Sequence, residues 1–249
     1  MPRDKPMTDI PSHRSFTLVL ASGGARGYAH AGVLRALEAE GLRPSAIVGV
    51  SMGAVIGATY ALRRDWYEAV LGVDTSPFPS RLPTTEEWEG SSWQRFSAIG
   101  AYARIAYEST FGWGVGKRSF RHTTSTLRTL TKDRDLEEGR IPVAVCATNI
   151  QTGSREILRS GPAAEAAYAS AAIPGIFPPG RHGDQQLVDG AYADIAPVDV
   201  ARTFDTSLVL VVDPTQPLAP SHVENGFQAM LRAVEICQMR HADLRFDDA

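Results

Sequence analysis

A serine flanked by glycines carries the clearest chemical signal in this chain. Gly49, Ser51 and Gly53 form a G-x-S-x-G pentapeptide between a β-like run, 46–50, and a helix-like run, 54–62. A sharp strand-to-helix turn holds such a serine in a strained backbone, so that only small residues fit beside it. The helix that follows points its N-terminal amides at the hydroxyl. We therefore predict that Ser51 is a nucleophile on an elbow, rather than the N-cap of an ordinary glycine-rich connection.

A second glycine cluster lies upstream at 22–27, between a predicted buried strand, 16–20, and a predicted amphipathic helix, 28–39. Consecutive glycines leave backbone N–H groups free to point at an anion. A dinucleotide site is one interpretation, but G-x-G-x-x-G is not fully matched, and the next strand ends at Ser51 where an acidic residue would be expected. An oxyanion hole for acyl transfer is the better interpretation.

A candidate base stands downstream in the stretch 187–191, which reads Leu-Val-Asp-Gly-Ala. Alone, an Asp-Gly pair usually marks only a turn. Beside the serine and the glycine cluster, Asp189 becomes a candidate for the group that takes the serine proton.

The elements that must position these residues alternate between strands and helices. Apolar runs at 141–147 and 207–212 suit central strands buried on both faces, and helices are predicted near 120–130 and over 163–172 and 223–244. This alternation predicts an α/β fold with a mainly parallel central sheet and helices on both faces. Residues 1–14 are predicted to be a flexible tail, and 15–249 a single catalytic domain.

The segment 74–125 interrupts the alternation and holds three of the four tryptophans, Trp88, Trp93 and Trp113. We expect a helical insertion that packs most of its aromatic side chains into the core, because aromatic residues are usually buried. A lid, or a wall for an acyl chain, is the alternative.

Composition and charge indicate which kinds of partner the protein binds and in which compartment it is expected. A formal net charge of −3 provides no basic field for nucleic acid. Cys146 and Cys237 are expected to be buried free thiols. The N-terminus has no apolar signal-peptide core and no apolar run reaches the ~20 residues that span a bilayer, so a cytoplasmic protein is expected.

Taken together, the motifs resemble the patatin-like phospholipase family. The matching stretches are 23–27, 49–53, 169–177 and 189–191, in the family's order and at roughly its spacings. The resemblance extends from about residue 16 to residue 213. It implies a patatin-like fold and a Ser–Asp dyad that hydrolyses acyl-lipid or phospholipid esters through an acyl-enzyme, with no histidine, metal or other cofactor. It also implies peripheral contact with membrane lipid.

The family's functional residues carry over to matching positions of this chain. Ser51 is then the nucleophile, Asp189 the base, and Gly49 and Gly53 the glycines of the elbow. The oxyanion hole falls on the backbone of Gly23, Gly24, Ala25, Arg26 and Gly27. Burial among few charges should raise the pKa of Asp189 toward neutrality, and Arg26 is expected to point away from it.

Two positions depart from the family pattern. Ala191 stands where the family more often has a glycine, and the stretch 193–197 lacks the asparagine that commonly precedes a Leu-Pro pair. Without that amide, the loop after Asp189 must be held in another way.

Other chemistries remain open. A Ser-His-acid triad would use His222 or His241, which follow Asp189, whereas His30 is expected on the surface of the first helix. An acyltransferase of the malonyl-transacylase kind would also need a histidine base. A member of the fold that binds lipid or protein without catalysis is a third possibility. The six histidines show no metal-ligand spacing.

Overall fold

The fold is given by a computed structural model, which describes residues 15–74, 117–215, 218, 220–224 and 226–247. The predicted tail, 1–14, and most of the predicted insertion, 74–125, lie outside these residues.

Strands of the described chain form one central sheet. They are β1 (Phe16–Leu20), β2 (Ala46–Val50), β3 (Val143–Asn149), β4 (Arg155–Leu158), β5 (Gly180–His182), β6 (Gln185–Asp189) and β7 (Leu208–Val212). Their order is β5-β6-β3-β2-β1-β7, with β4 also paired to β3. The strands β7, β1, β2 and β3 are parallel, whereas β4 and β6 run antiparallel to β3, and β5 antiparallel to β6.

Helices connect and cover these strands. They are α1 (Tyr28–Ala39), α2 (Met52–Leu62), α3 (Trp66–Leu71), α4 (Lys117–Thr131), α5 (Ala163–Ala171), α6 (Val198–Ala201) and α7 (Gly226–Asp247), with short 3₁₀ helices at Gly24–Gly27, Leu136–Glu138 and Gly190–Tyr192.

Alternate side chains along the strands pack into two cores, one on each face of the sheet. Leu18, Ile47 and Val145 face α1, α2, α3 and α5. Their neighbours along the strands, such as Val19 and Val48, face the opposite side, where residues from 191 to 201 and Ala242 of α7 pack. The predicted α/β architecture, with a mainly parallel sheet and helices on both faces, is therefore confirmed.

Helix α2 is buried almost all round, because it lies between the sheet and α5. From Gly53 to Leu62 every residue is buried. A helix without a polar face is typical of a protein interior. The central position of α2 fixes the place where it begins, directly after Ser51.

Two sequence predictions about burial were wrong. His30, expected on the surface, is fully buried because α1 turns this position toward β1 and the ring donates to the Ala21 carbonyl. Cys237, expected to be buried, is exposed on α7, whereas Cys146 lies inside the sheet as expected. Both thiols are free. No helix in the described ranges is both long and apolar enough to cross a membrane.

Candidate active site

Ser51 occupies the turn between β2 and α2 in a backbone conformation that L-residues rarely adopt. Its φ is 54° and its ψ is −123°. The chain reverses so sharply here that a Cβ on Gly49 would lie 2.5 Å from Ala54 Cα, and one on Gly53 would lie 2.1 Å from the Leu20 carbonyl oxygen. A side chain at either glycine position would therefore collide with the backbone of this turn.

The side chains of Ser51 and Asp189 are in direct contact. Ser51 Oγ donates to Asp189 Oδ2 at 2.6 Å, and both residues are buried, with 4% and 3% of their surfaces exposed. Asp189 ends β6, whose antiparallel pairing with β3 sets Asp189 opposite Ala147. The Ala191 N–H donates to Asp189 Oδ1 at 2.9 Å, so that each carboxylate oxygen has a defined partner.

Burial dominates the electrostatics of this pair. It raises the pKa of Asp189 to about 6, while the hydrogen bonds from Ser51 and from the Ala191 N–H lower it in part. A carboxylate with a pKa near neutrality is a better proton acceptor than an ordinary aspartate. Arg26, the cation that would oppose this effect, is exposed and makes no ion pair with Asp189.

Ser170 of α5 supports the elbow from behind. Ser51 N–H donates to Ser170 Oγ at 2.8 Å, and Ser170 Oγ donates to the Cys146 carbonyl at 2.6 Å. This fully buried hydroxyl links α5, β3 and the strained turn. Sequence reasoning placed Ser170 in a family motif but gave it no function, because the bonded residue lies 119 positions away.

The glycine loop forms a short 3₁₀ helix whose open end lies beside Ser51. Gly24 has a φ of +53°, and the Arg26 N–H donates within the loop to the Gly23 carbonyl at 3.1 Å. The first amides of a helix have no acceptor inside it. Of the predicted donors, the amides of Gly24 and Ala25 therefore have no acceptor inside this short helix, whereas Gly27 is buried against Met52.

His30 anchors the start of this loop. Its Nε2 lies 2.8 Å from the Ala21 carbonyl oxygen and is the donor, because a carbonyl oxygen only accepts, and burial lowers the pKa of the ring. The Ala21 and Ser22 amides donate to Val212 and Ile195. Within the described ranges no histidine, His222 and His241 included, is hydrogen-bonded to Ser51 or Asp189.

An ion-pair cluster holds the loop that follows Asp189. Arg155 Nη1 donates to Asp194 Oδ2 at 2.5 Å, and its Nη2 donates to Asp199 Oδ2 at 2.5 Å. Asp194 is fully buried, and its Oδ1 accepts from the Ala196 N–H at 3.2 Å. Ala191 itself is buried in the core beneath the sheet. The carboxylate of Asp194 thus organises the loop in which the family's asparagine is missing.

Two cavities meet at Ser51. The first, of about 340 Å³, is almost wholly apolar and lies among α2, α3, α4 and α5. Its walls include Met52, Val55, Leu127, Tyr168 and Phe177. The second, of about 350 Å³, lies between the glycine loop and α7 and is lined by Arg26, Thr215, Glu235, Gln238 and Met239 among others. A reacting group at Ser51 can therefore extend into an apolar space on one side and a more polar one on the other.

A metal site is not found in the described part of the chain, where no group of three His, Cys, Asp or Glu side chains could hold an ion. The chemistry available at Ser51 is that of a hydroxyl, a carboxylate and backbone amides. This arrangement suits nucleophilic attack on a carbonyl.

Comparisons with known proteins give a consistent family. The family model described as patatin-like phospholipase matches residues 18–202. The match ends before α7 begins. Lysophospholipase NTE1 of Cryptococcus neoformans var. neoformans serotype D is 33% identical over 79% of this chain, and a patatin-like phospholipase domain-containing protein, ZK370.4 of Caenorhabditis elegans, is 30% identical over 82%. The chain spans only 11% and 14% of the length of these two relatives.

Among solved structures, VipD from Legionella pneumophila matches with a TM-score of 0.47 and 15% identity, over 80% of this chain and 49% of that one. The family match covers more than half of the chain and includes the glycine loop, the serine elbow and Asp189. This chain belongs to the patatin-like phospholipase family.

Proposed function

We propose that this protein is a lipid acyl hydrolase, of the phospholipase A, lysophospholipase or related esterase type, that uses Ser51 and Asp189 as a catalytic dyad. The observation that carries the proposal is the buried 2.6 Å hydrogen bond from Ser51 Oγ to Asp189 Oδ2 at the mouth of an apolar cavity. The relatives named lysophospholipases support an ester of a lipid as the substrate.

The reaction begins with an ester carbonyl at Ser51 and its acyl chain in the apolar cavity. Asp189 takes the hydroxyl proton while Ser51 Oγ attacks the carbonyl carbon. The tetrahedral oxyanion is stabilised by the amides of Gly24 and Ala25, and the loss of one such donor typically costs about 3–4 kcal/mol. The ester C–O bond then breaks, and the departing alcohol takes the proton from Asp189.

Water completes the cycle. Asp189, again a carboxylate, takes a proton from a water molecule whose oxygen attacks the acyl-enzyme. The second tetrahedral intermediate uses the same amides. Its collapse releases the fatty acid and returns the proton to Ser51 Oγ. The proposed reaction therefore consumes only the ester and water.

The dyad is tested by labelling with a fluorophosphonate probe and by hydrolysis of a p-nitrophenyl ester. Ser51→Ala should abolish labelling, and Ser51→Ala and Asp189→Asn should each lower kcat by at least about a thousandfold, because each removes a group that acts in the chemical step. Ser154→Ala and Asp184→Asn make the same chemical changes at exposed positions and should leave kcat near wild type.

Hydrolysis that survives the change at Ser51 would overturn the proposal. A wild-type protein that is folded, unlabelled and inactive on esters would favour the binding protein without catalysis. A loss of activity in His222→Ala or His241→Ala comparable to that of Ser51→Ala would favour a triad.

A further inference from the structure

A buried histidine outside the dyad lies at the joint between the glycine loop and the serine elbow. His30 of α1 is fully buried, and its Nε2–H donates to the Ala21 carbonyl oxygen at 2.8 Å. This carbonyl belongs to the peptide bond between Ala21 and Ser22, where the chain leaves β1 and enters the glycine loop. The hydrogen bond therefore fixes the point at which the loop begins.

The imidazole ring also lies beside the far end of the loop. A Cβ on Gly27 would lie 3.7 Å from His30 Cδ2 and 2.4 Å from Met52 Cγ. Gly27 is the last residue of the 3₁₀ helix, and Met52 begins α2 directly after Ser51. A single buried side chain is thus placed at both ends of the loop and next to the elbow.

The carbonyl that His30 holds packs against the elbow as well. A Cβ on Gly53 would lie 2.9 Å from the Ala21 carbonyl oxygen, so this oxygen lies close to the first turn of α2. A shift of the Ala21 peptide would therefore change how the glycine loop sits relative to Ser51. Catalysis by backbone amides depends on their placement around the developing oxyanion, and a misplacement of about 1 Å can cost about a hundredfold in rate.

The two nitrogens of the His30 ring differ in their surroundings. Nδ1 is buried and has no hydrogen-bond partner among the residues that the structure describes. A buried polar atom without a partner lowers stability, and an apolar side chain at this position would not carry that cost. The presence of a histidine here is therefore better explained by the bond from Nε2–H than by packing alone.

We propose that His30 is a positioning residue for the oxyanion hole. Its bond to the Ala21 carbonyl and its ring, packed beside the loop, keep the Gly24 and Ala25 amides aimed at the oxygen that develops beside Ser51. His30 lines neither cavity and has no hydrogen bond to the dyad, so it transfers no proton in the reaction. This inference rests on the proposed function and adds to it a histidine that acts through the loop.

Two amide side chains of different length test the bond. In His30→Gln the amide nitrogen reaches about as far as Nε2 of the wild type and can donate to Ala21, whereas in His30→Asn it ends near the position of the unpaired Nδ1. With a p-nitrophenyl ester, His30→Asn should lower kcat about 10- to 100-fold and change KM by less than about twofold, because the loop amides lose their alignment. His30→Gln should keep kcat within about threefold of the wild type.

A transition-state analogue separates positioning from a general loss of structure. An alkyl trifluoromethyl ketone reacts with the dyad: Ser51 Oγ bonds to the ketone carbon, the ketone oxygen becomes the oxyanion, and the serine proton passes to Asp189. Its Ki should rise in His30→Asn by about the factor by which kcat/KM falls, because both report on the oxyanion hole. An alkyl alcohol of the same chain length carries no oxyanion and should bind with unchanged affinity.

Thr59→Val is the matched control. Thr59 is also fully buried, and its hydroxyl donates to a backbone carbonyl, that of Val55, but inside α2 and away from the loop. Its substitution should leave kcat and the Ki of the ketone near the wild-type values. If His30→Asn does not fold by circular dichroism, His30→Leu, which fills the space without a donor, takes its place in the comparison with His30→Gln.

Equal kcat values in the folded His30→Asn and His30→Gln proteins overturn this inference, as does a fall in kcat without a rise in the Ki of the ketone. In either case, hydrolysis by the wild type preserves the proposed function. A folded wild type that cleaves no ester overturns both.

Discussion

In the proposed mechanism Asp189 must be charged to accept a proton, yet its carboxyl lies in a buried position that disfavours charge. Its carboxyl is buried against Ser51, and the pKa that results, about 6, is above the ordinary value of 3.8. The fold therefore holds the proton of Asp189 more tightly than the unfolded chain does. The burial that would make this carboxylate a useful base in the proposed mechanism also lowers the stability of the folded protein at neutral pH.

The pKa of Asp189 should determine how kcat/KM depends on pH. In the wild type, kcat/KM for a soluble ester should rise about tenfold per pH unit below pH 6 and level off above it, because only the carboxylate accepts the proton. A pH series with a p-nitrophenyl ester measures this profile. A plateau that extends unchanged well below pH 6 would contradict the assignment of Asp189 as the base.

The ionisation of Asp189 should also make the free energy of unfolding depend on pH. The folded pKa is the higher one, so the penalty is absent below about pH 4, grows as the pH rises from 3.8 to about 6, and is constant above. Asp189→Asn should therefore have a free energy of unfolding up to about 3 kcal/mol higher than the wild type at pH 8, and unfold at a higher urea concentration. At pH 4 the two proteins should differ little. Asp184→Asn, at an exposed turn, serves as the control.

At the scale of elements, the serine elbow is strained and depends on its neighbours. Residue 51 has a positive φ without being glycine, a conformation that typically costs about 1–3 kcal/mol and persists only where the surroundings impose it. Here α2 begins at the next residue, β2 ends at the preceding one, and α5 provides the acceptor for the Ser51 N–H. The elbow is a property of all three elements together.

Ser170→Ala should disturb the turn without touching the substrate. It removes the acceptor of the Ser51 N–H and the donor to the Cys146 carbonyl, and so leaves buried groups unsatisfied at a cost of about 1–3 kcal/mol. We expect kcat to fall severalfold with little change in KM, together with a lower urea midpoint. Ser160→Ala, at an exposed position just before α5, should change neither. If Ser170→Ala is destabilised but its kcat is unchanged, the role of Ser170 is purely structural.

Elements with strong local signals were predicted closely from the sequence. The strands 16–20 and 46–50 and the helix 28–39 have the predicted bounds, because apolar runs and a glycine stop mark them locally. The strand β4 and the hairpin β5–β6 were missed, since they are short, partly polar and stabilised by pairing with β3. The support from Ser170 and the burial of His30 were beyond local reasoning for the same reason: both depend on contacts between distant segments.

At the scale of the molecule, one arginine connects three segments around the site. Arg155 of β4 reaches Asp194, in the loop after Asp189, and Asp199 at the start of α6. Its pKa is raised by these two carboxylates, Asp199 first. The loop that follows Asp189 is thus joined to a strand 39 residues earlier in the sequence and to the helix that follows the loop.

Arg155→Met should destabilise the whole domain by about 3–5 kcal/mol, because it leaves the fully buried Asp194 without its guanidinium partner. The double variant Arg155→Met/Asp194→Asn should recover part of this loss, since it also removes the buried charge. Arg128→Met, which breaks an exposed ion pair with Asp133, should cost less than about 1 kcal/mol. Urea unfolding measures all three, and equal losses from Arg155→Met and Arg128→Met would contradict the argument.

The two cavities that share Ser51 have a consequence for the order of events in a catalytic cycle. Under the proposed function, an ester whose acyl chain lies in the apolar cavity would extend its alcohol portion from Ser51 into the second cavity. Water would then reach the acyl-enzyme from the second cavity, so the alcohol would have to depart before the second step begins. The kinetics would follow a ping-pong scheme, in which the released alcohol inhibits by returning to the space that water needs.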